Sequence, residues 1–346
     1  MIDFSSVALK KMAIHFVGNK GREEGVYISK DTFTFFKQEV EESFLQYFIE
    51  PFRKVAEFYN FYHSTAIELN EVKSFAAALF NEAADFGSTA EKIALTLYDK
   101  STHPHISGGE LFVAWLTGCT LNGEAVDAIG IYKSEAKDTF IKLRQDGGSY
   151  DYQLDSGINI SELDKGCIIF NASGDFVVTV LDNLNKSKEA KYWMDDFLKL
   201  ISCRDSFHFT KDYLDVAKKF VTERMPEVFD ISKADKIDYL NKSISYFKKN
   251  DHFAEEDFLQ DVFQHSEVID NFNQFKEKYA NENNVVLDND FDISTQAVKK
   301  QLKVFKSILK LDKNFHIYIH GSKDLIEKGT DKDGRKFYKI FYEQEA

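Results

Sequence analysis

The chain has 346 residues, of which 43% are apolar and 29% charged, and its net charge is −13. The length exceeds one ordinary core and points to about two domains. The negative balance excludes a simple basic coat for nucleic acid, because neutralising phosphates takes Lys and Arg.

Pro is scarce, with 3 copies against 33 Phe, which favours long uninterrupted elements. Residues 12–17 read as a strand followed by turn residues at 18–21, with a return strand at 26–29. A helix is predicted over 31–49, stopped by Pro51. A second is predicted over 68–85, and a third runs from Ser88, with Glu91 as capping-box partner, to about Ser101. The apolar period then changes. Residues 110–116, 125–132, 139–143, 167–171 and 176–181 are short runs of β formers, with Asn122-Gly123 as a hairpin signal, so an antiparallel meander is expected.

From about Lys186 the pattern is helical again. Tyr213, Val216, Phe220 and Val221 share one face, as do Ile237, Leu240, Ile244 and Phe247, and Val268, Phe272, Phe275 and Tyr279. Near the end, residues 315–320 and 336–342 alternate, with Asp331-Lys332-Asp333-Gly334 between them, and read as a terminal hairpin or small sheet. The expected fold is therefore α+β. N-terminal helices with an antiparallel β meander fill 1–185, and a C-terminal helical domain closed by a small antiparallel sheet fills 186–346.

No apolar run approaches the ~20 residues of a membrane span, and Met1-Ile2-Asp3-Phe4 lacks the basic and apolar regions of a signal peptide. Cys119, Cys167 and Cys203 are odd in number and without CxxC spacing, which fits reduced core thiols in a cytoplasmic protein rather than a zinc site.

Charge is unevenly spread. Residues 1–185 carry 16 basic and 27 acidic side chains, and residues 251–290 carry 2 and 11. Residues 186–250 carry 14 and 11, and residues 291–346 carry 12 and 8, so a polyanion contact belongs in the C-terminal half outside the acidic stretch. If 294–313 is helical, Lys299, Lys303, Lys306, Lys310 and Lys313 form one stripe opposite Val298, Leu302, Phe305 and Leu309. Such a stripe suits a row of phosphates. It also suits the solvated face of an ordinary amphipathic helix, and a break near Lys303 into a strand would scatter it. A second basic set, including Lys211, Lys218, Lys219, Arg224 and Lys242, is interleaved with Asp212, Asp215, Asp235 and Asp238, which favours ion pairing along helix surfaces.

One enzyme pattern stands out: Asp127 followed by Glu135-Ala136-Lys137, the residue types with which some nucleases hold a divalent metal and activate water. His103-Pro104-His105 with Glu110 is a weaker metal pattern and equally a turn before a strand. GxSxG, P-loop and GxGxxG motifs are absent, and no cofactor or metal is expected.

Several segments, in order, carry a resemblance. They are Ser101-Thr102-His103-Pro104, Gly108-Gly109-Glu110-Leu111, residues 127–135, residues 164–171 and residues 191–198, continued by 243–247 and 258–263. Together they resemble the NdpA-like (YejK-like) bacterial nucleoid-associated family. The resemblance implies a cytoplasmic protein found with the nucleoid, binding DNA weakly or through protein partners such as a type II topoisomerase. It implies no catalytic residues. A homo-oligomer is compatible with it. Two other readings stay open: a metal-dependent nuclease centred on Asp127, Glu135 and Lys137, and a scaffold that binds proteins only.

Overall fold

In the computed structural model the described residues are 2–34, 37–55, 57–172, 175–183, 192–283, 285–302, 305, 308–311, 315–318, 325–342 and 344. The chain divides into two compact units, Met1–Cys203 and Arg204–Ala346.

The first unit is built on an antiparallel sheet. Its elements are β1 (Ile2–Asp3), β2 (Ala8–Val17), β3 (Val26–Tyr27), β4 (Thr32–Phe33), α1 (Gln38–Ile49), β5 (Tyr59–Phe61), α2 (Glu71–Phe80) and α3 (Phe86–Lys100). They continue as β6 (Gly109–Leu121), β7 (Glu124–Ser134), β8 (Asp138–Asp146), β9 (Ser149–Gly157), β10 (Lys165–Phe170), β11 (Val177–Asp182) and β12 (Leu200–Ser202). The sheet has 10 strands in the order β12-β5-β11-β10-β7-β6-β2-β3, with β1 on β6 and β4 on β2; β8 and β9 form a separate hairpin.

Both faces of the sheet are covered, so its central strands are apolar almost throughout. Odd-numbered residues of β7, Ile129 and Ile131, pack with Leu97 and Ile93 of α3 and Ala76 of α2. Even-numbered Ala128 and Tyr132 pack with Phe48 of α1 on the other face. The Tyr132 ring stacks on Phe48, 4.2 Å between centroids and 5° from parallel. It also lies across the backbone of Gly130 and Gly166, where no side chain stands in its way.

Several sequence expectations shift. The first helix begins at Gln38 instead of 31, because Thr32 and Phe33 pair with β2 as a short strand. The third begins at Phe86, and its cap is Asp85, whose carboxylate accepts from the Ser88 amide; Ser88 itself lies inside the helix. Asn70, fully buried, caps α2 by accepting from the Lys73 amide and donates to the carbonyls of Tyr62 and Leu198. The pattern change at Lys186 assigns residues 192–202 to the start of the C-terminal helices. They form instead a π-helical turn, Tyr192–Leu198, whose Trp193, Phe197 and Leu198 enter the first core, and then β12 on β5. The break between units therefore falls after Cys203, later than Lys186.

The second unit contains α4 (Ser206–Lys219), α5 (Met225–Val228), α6 (Lys233–Lys249), β13 (His252–Ala254), α7 (Glu255–Val262), α8 (Ser266–Asn283), β14 (Asp290–Asp292) and α9 (Thr295–Leu302). Four short strands follow: β15 (Ile308–Leu311), β16 (Phe315–Tyr318), β17 (Ile326–Thr330) and β18 (Lys336–Ile340). The three helical faces expected from periodicity do converge, with Tyr213, Val216, Phe220, Leu240, Phe247 and Phe272 in one core. At its centre Phe253 stacks on Phe291 at 4.6 Å and on Phe247 at 5.1 Å, with Tyr213 at 4.3 Å. Residues 315–318 and 336–340 do not pair with each other as expected. Each closes a hairpin with its own neighbour, β15–β16 and β17–β18. Leu311, Ile317, Ile326 and Tyr338 gather on Ile237 of α6, so each short hairpin has an apolar anchor.

The β13–β14 pair carries a local charge cluster. His252 lies 3.0 Å from Asp292 and 3.2 Å from Asp290. Its hydrogen bond to Asp292, then that to Asp290, raises its pKa above 6.5. A raised folded pKa means the pairing contributes fully below the ordinary value of 6.5 and is lost as pH climbs through the folded one. An NMR titration should place the His252 midpoint above 6.5 and return it toward that value in Asp292→Asn. An unshifted midpoint in the wild type would contradict the pairing.

Candidate functional site

Three segments that lie far apart in the chain meet at one end of the central sheet. Residues 133–135 lead out of β7, residues 164–165 open β10, and Tyr192 begins the π-helical turn. Lys133 and Lys165 stand directly opposite each other on adjacent strands. They follow Ile129, Ile131 and Cys167, Ile169 on the helix-covered face, so both ammonium groups are buried. Like charges opposed in this way repel. Glu135 resolves the conflict, because its Oε1 lies 3.2 Å from Lys133 Nζ and 3.1 Å from Lys165 Nζ. The Tyr192 hydroxyl donates to the same oxygen at 3.3 Å, and Lys133 also donates to the Ser107 carbonyl at 2.7 Å.

Asp164 shapes this end of the strand. Its carboxylate accepts from the Glu135 amide at 2.6 Å and the Ala136 amide at 2.8 Å, which turns the chain out of β7. Lys165 also pairs with Asp182 at 3.8 Å. Burial depresses the Lys133 pKa against the raising influence of Glu135, while burial and Glu135 together push Tyr192 up. The arrangement is a saturated ion cluster that pins three segments. Its clue in the sequence is a Lys at the end of an apolar strand run, in Ile131-Tyr132-Lys133 and Lys165-Gly166-Cys167. A doubly covered strand buries such a charge and so demands a carboxylate.

The cluster takes Glu135 away from the nuclease pattern. Asp127 and Glu135 sit at opposite ends of β7, eight residues apart, or about 27 Å at strand rise. Asp127 accepts from the Trp115 indole at 3.0 Å, and Lys137 pairs with Glu110 at 2.6 Å. The three residues therefore do not share a site. His103-Pro104-His105 is a turn, held by Asn19 donating to the His103 and Ile106 carbonyls at 2.7 Å and by Arg22 donating to the Pro104 carbonyl at 2.7 Å. Among the described residues no group of three His, Cys, Asp or Glu is placed to hold a metal ion. Cys119 and Cys167 are buried; burial pushes the Cys119 thiol up to about 12 and Cys167 higher still, as inert core thiols. Cys203 is half-buried against Asn60.

The lysine stripe does not survive as one helical face. α9 ends at Leu302, and 308–311 is a strand in which Lys310 opposes His316. Leu311 and Ile317 find the apolar surface of Ile237 from this hairpin, which favours the strand. Lys303, Lys306 and Lys313 lie outside the described residues, as does the Lys310 side chain. Lys299 and Lys300 are exposed on α9, whose other face buries Ala297, Val298 and Gln301. Charge pattern alone did not single out Lys328, Lys332, Arg335, Lys336 and Lys339, all exposed on the β17–β18 hairpin and its turn. In the second basic set the expected helix-surface pairs include Arg224–Glu227 at 3.0 Å and Lys242–Asp238 at 3.1 Å.

No helix among the described residues is long and apolar enough to cross a membrane. A comparison with curated proteins finds no match. The family model described as nucleoid-associated protein YejK matches residues 14–335. That span takes in most of the sheet, the ion cluster and the helical core, and the chain belongs to this family of nucleoid-associated proteins.

Proposed function

We propose that the protein associates with the bacterial nucleoid in the cytoplasm through weak, sequence-tolerant contact of its C-terminal region with DNA. The contact residues in this reading are Lys299, Lys303, Lys306, Lys310 and Lys313. The observation that carries it is the charge of residues 291–346, 12 basic against 8 acidic in a chain of net −13, in a member of a nucleoid-associated family. Lys299 lies on α9 and Lys310 on β15, so in this reading the lysines act as separate point charges and not as one ruled helix. Each ammonium group that meets a phosphate releases a counterion, so affinity should fall steeply with salt.

The same net charge favours a second route, attachment through protein partners, a type II topoisomerase among them. An anisotropy titration of duplex DNA at low salt with full-length protein separates the two. Changing the five lysines to Glu should abolish binding by the wild-type mode. Single changes should each lower the salt slope by about one, as one phosphate fewer is neutralised. A melt of the variant beside wild type separates lost contact from lost fold; at the exposed Lys299 the change should cost only ~0.5 kcal/mol. Unchanged DNA binding in the five-fold variant would overturn the assignment. Absence of binding in the wild type itself would leave the protein-mediated route.

A further inference from the structure

The β8–β9 hairpin stands apart from the sheet that holds the rest of the first unit. Every residue of β8 and nearly all of β9 is exposed. Its register puts every charged side chain on one face. Ile141 opposes Leu154, Leu143 opposes Tyr152, and Gln145 opposes Tyr150, all on one face. Thr139 and Ser156 complete that face, which carries no charge. The other face holds Asp138, Lys142, Arg144, Asp146, Asp151 and Asp155 around a single aromatic, Phe140, with Lys142 paired to Asp155 at 2.5 Å.

A two-stranded hairpin alone is marginal in water and needs something to cover an apolar face. Here Ile141, Leu143, Tyr150, Tyr152 and Leu154 are each 64–76% exposed. At roughly 150 Å² per large side chain they offer about 750 Å², close to the ~800 Å² per partner of a standard stable interface. A contiguous exposed patch of that size marks an interaction site.

We propose that the uncharged face of the β8–β9 hairpin is the interface between two copies of this chain, packed hairpin on hairpin about a two-fold axis. Three features select a second copy. The face is suited to pair with itself, since uncharged polar residues, Thr139 and Ser156 at one end and Gln145 at the other, bracket an apolar centre, and an isologous contact uses the same patch on both copies. Two such faces stack as sheets do, about 10 Å apart, and bury no ion. The charged faces, each with 2 basic and 4 acidic groups, stay outward in water on both copies. Nucleic acid is a poor occupant, because the face has neither Lys nor Arg to meet phosphate. An anionic lipid surface is disfavoured for the same reason.

The test is sedimentation velocity and light scattering on the full-length chain across a concentration series. The wild type should run at twice its 39.9 kDa chain mass and dissociate on dilution. Leu143→Asp with Tyr152→Asp puts unpaired carboxylates into the contact and should raise the dissociation constant at least about 100-fold. Far-UV circular dichroism of that variant should match wild type, since both side chains are exposed in the single chain. Arg144→Glu, on the opposite face of the same strand, should leave the dimer intact. A wild type that stays at 39.9 kDa at every concentration overturns the proposal in favour of a different partner. A dimer that survives the double substitution, or one that Arg144→Glu dissociates equally, overturns the assignment to this face.

Discussion

Glu135→Gln is expected to lower the unfolding free energy of the first unit by about 3–5 kcal/mol, the usual consequence of removing one partner from a buried ion pair. The amide keeps the shape of the carboxylate and removes its charge. Lys133 and Lys165 then face each other across β7 and β10, and among the described residues Asp182, 3.8 Å from Lys165, is the carboxylate still paired with either. Both Trp residues, Trp115 and Trp193, lie in the core of this unit, so tryptophan fluorescence in a denaturant series reads the loss directly. Adding Lys133→Met should recover part of the loss, because it removes one of the two stranded charges. Lys137→Ala, which breaks only an exposed pair, should cost under about 1 kcal/mol. The pH dependence has a definite sign. Burial depresses Lys133 below 10.5, so the unfolded chain holds more protons than the folded one between those values and stability rises with pH there. The deficit of Glu135→Gln should therefore narrow as pH approaches 10.5. A loss no larger than that of Lys137→Ala at neutral pH would show that the cluster is relaxed by solvent.

Phe253→Ala should have a comparable effect on the second unit, about 3–5 kcal/mol. The ring is fully buried and touches five others, stacked on Phe247 and Phe291, tilted against Tyr213 and Phe258 and edge-on to Tyr246. Aromatic pairs contribute roughly 0.5–1.5 kcal/mol beyond buried area, so a shared ring loses several at once. The short β13 strand that carries it is otherwise held to β14 by a three-residue ladder and the His252 pairs to Asp290 and Asp292. The unit is mostly helical and has no Trp, so the change should appear as an earlier loss of helical circular dichroism while the tryptophan transition stays in place. A conservative Phe253→Leu should retain much of the stability. Coincident shifts of both signals by the same amount would show that the two units unfold together.

The architecture was legible where one periodicity dominates. Long helical faces such as Ile237-Leu240-Ile244-Phe247 and apolar strands such as 125–132 were read correctly from spacing alone, and the α+β class followed from them. Boundaries were less legible where a residue has two plausible roles. Ser88 resembles a cap, yet Asp85 captures the amide first. Residues 294–313 have helical spacing on paper, but an apolar anchor on α6 lets 308–311 extend and pair. Glu135 looks like a metal ligand because Asp127 precedes it by eight residues and Lys137 follows it by two. Its partner Lys165 comes from 30 positions further on, a distance that only strand pairing can close. The family resemblance rests in part on 127–135, 164–171 and 191–198, and those segments supply Lys133, Glu135, Lys165 and Tyr192 of the ion cluster.

The ring of Tyr132 has a consequence for how this sheet can drift. A methyl group at Gly130 would come within 2.2 Å of the Tyr132 hydroxyl oxygen, and one at Gly166 within 2.8 Å of its Cδ1. Neither glycine can therefore be exchanged while the ring stays where it is, although neither needs an unusual backbone angle. Shrinking position 132 would release both glycines but would leave Phe48 without its stacking partner. The three positions on two strands behave as a single inherited block, open to substitution only in concert. Pairwise covariation among relatives should surface there before it surfaces anywhere on the exposed faces.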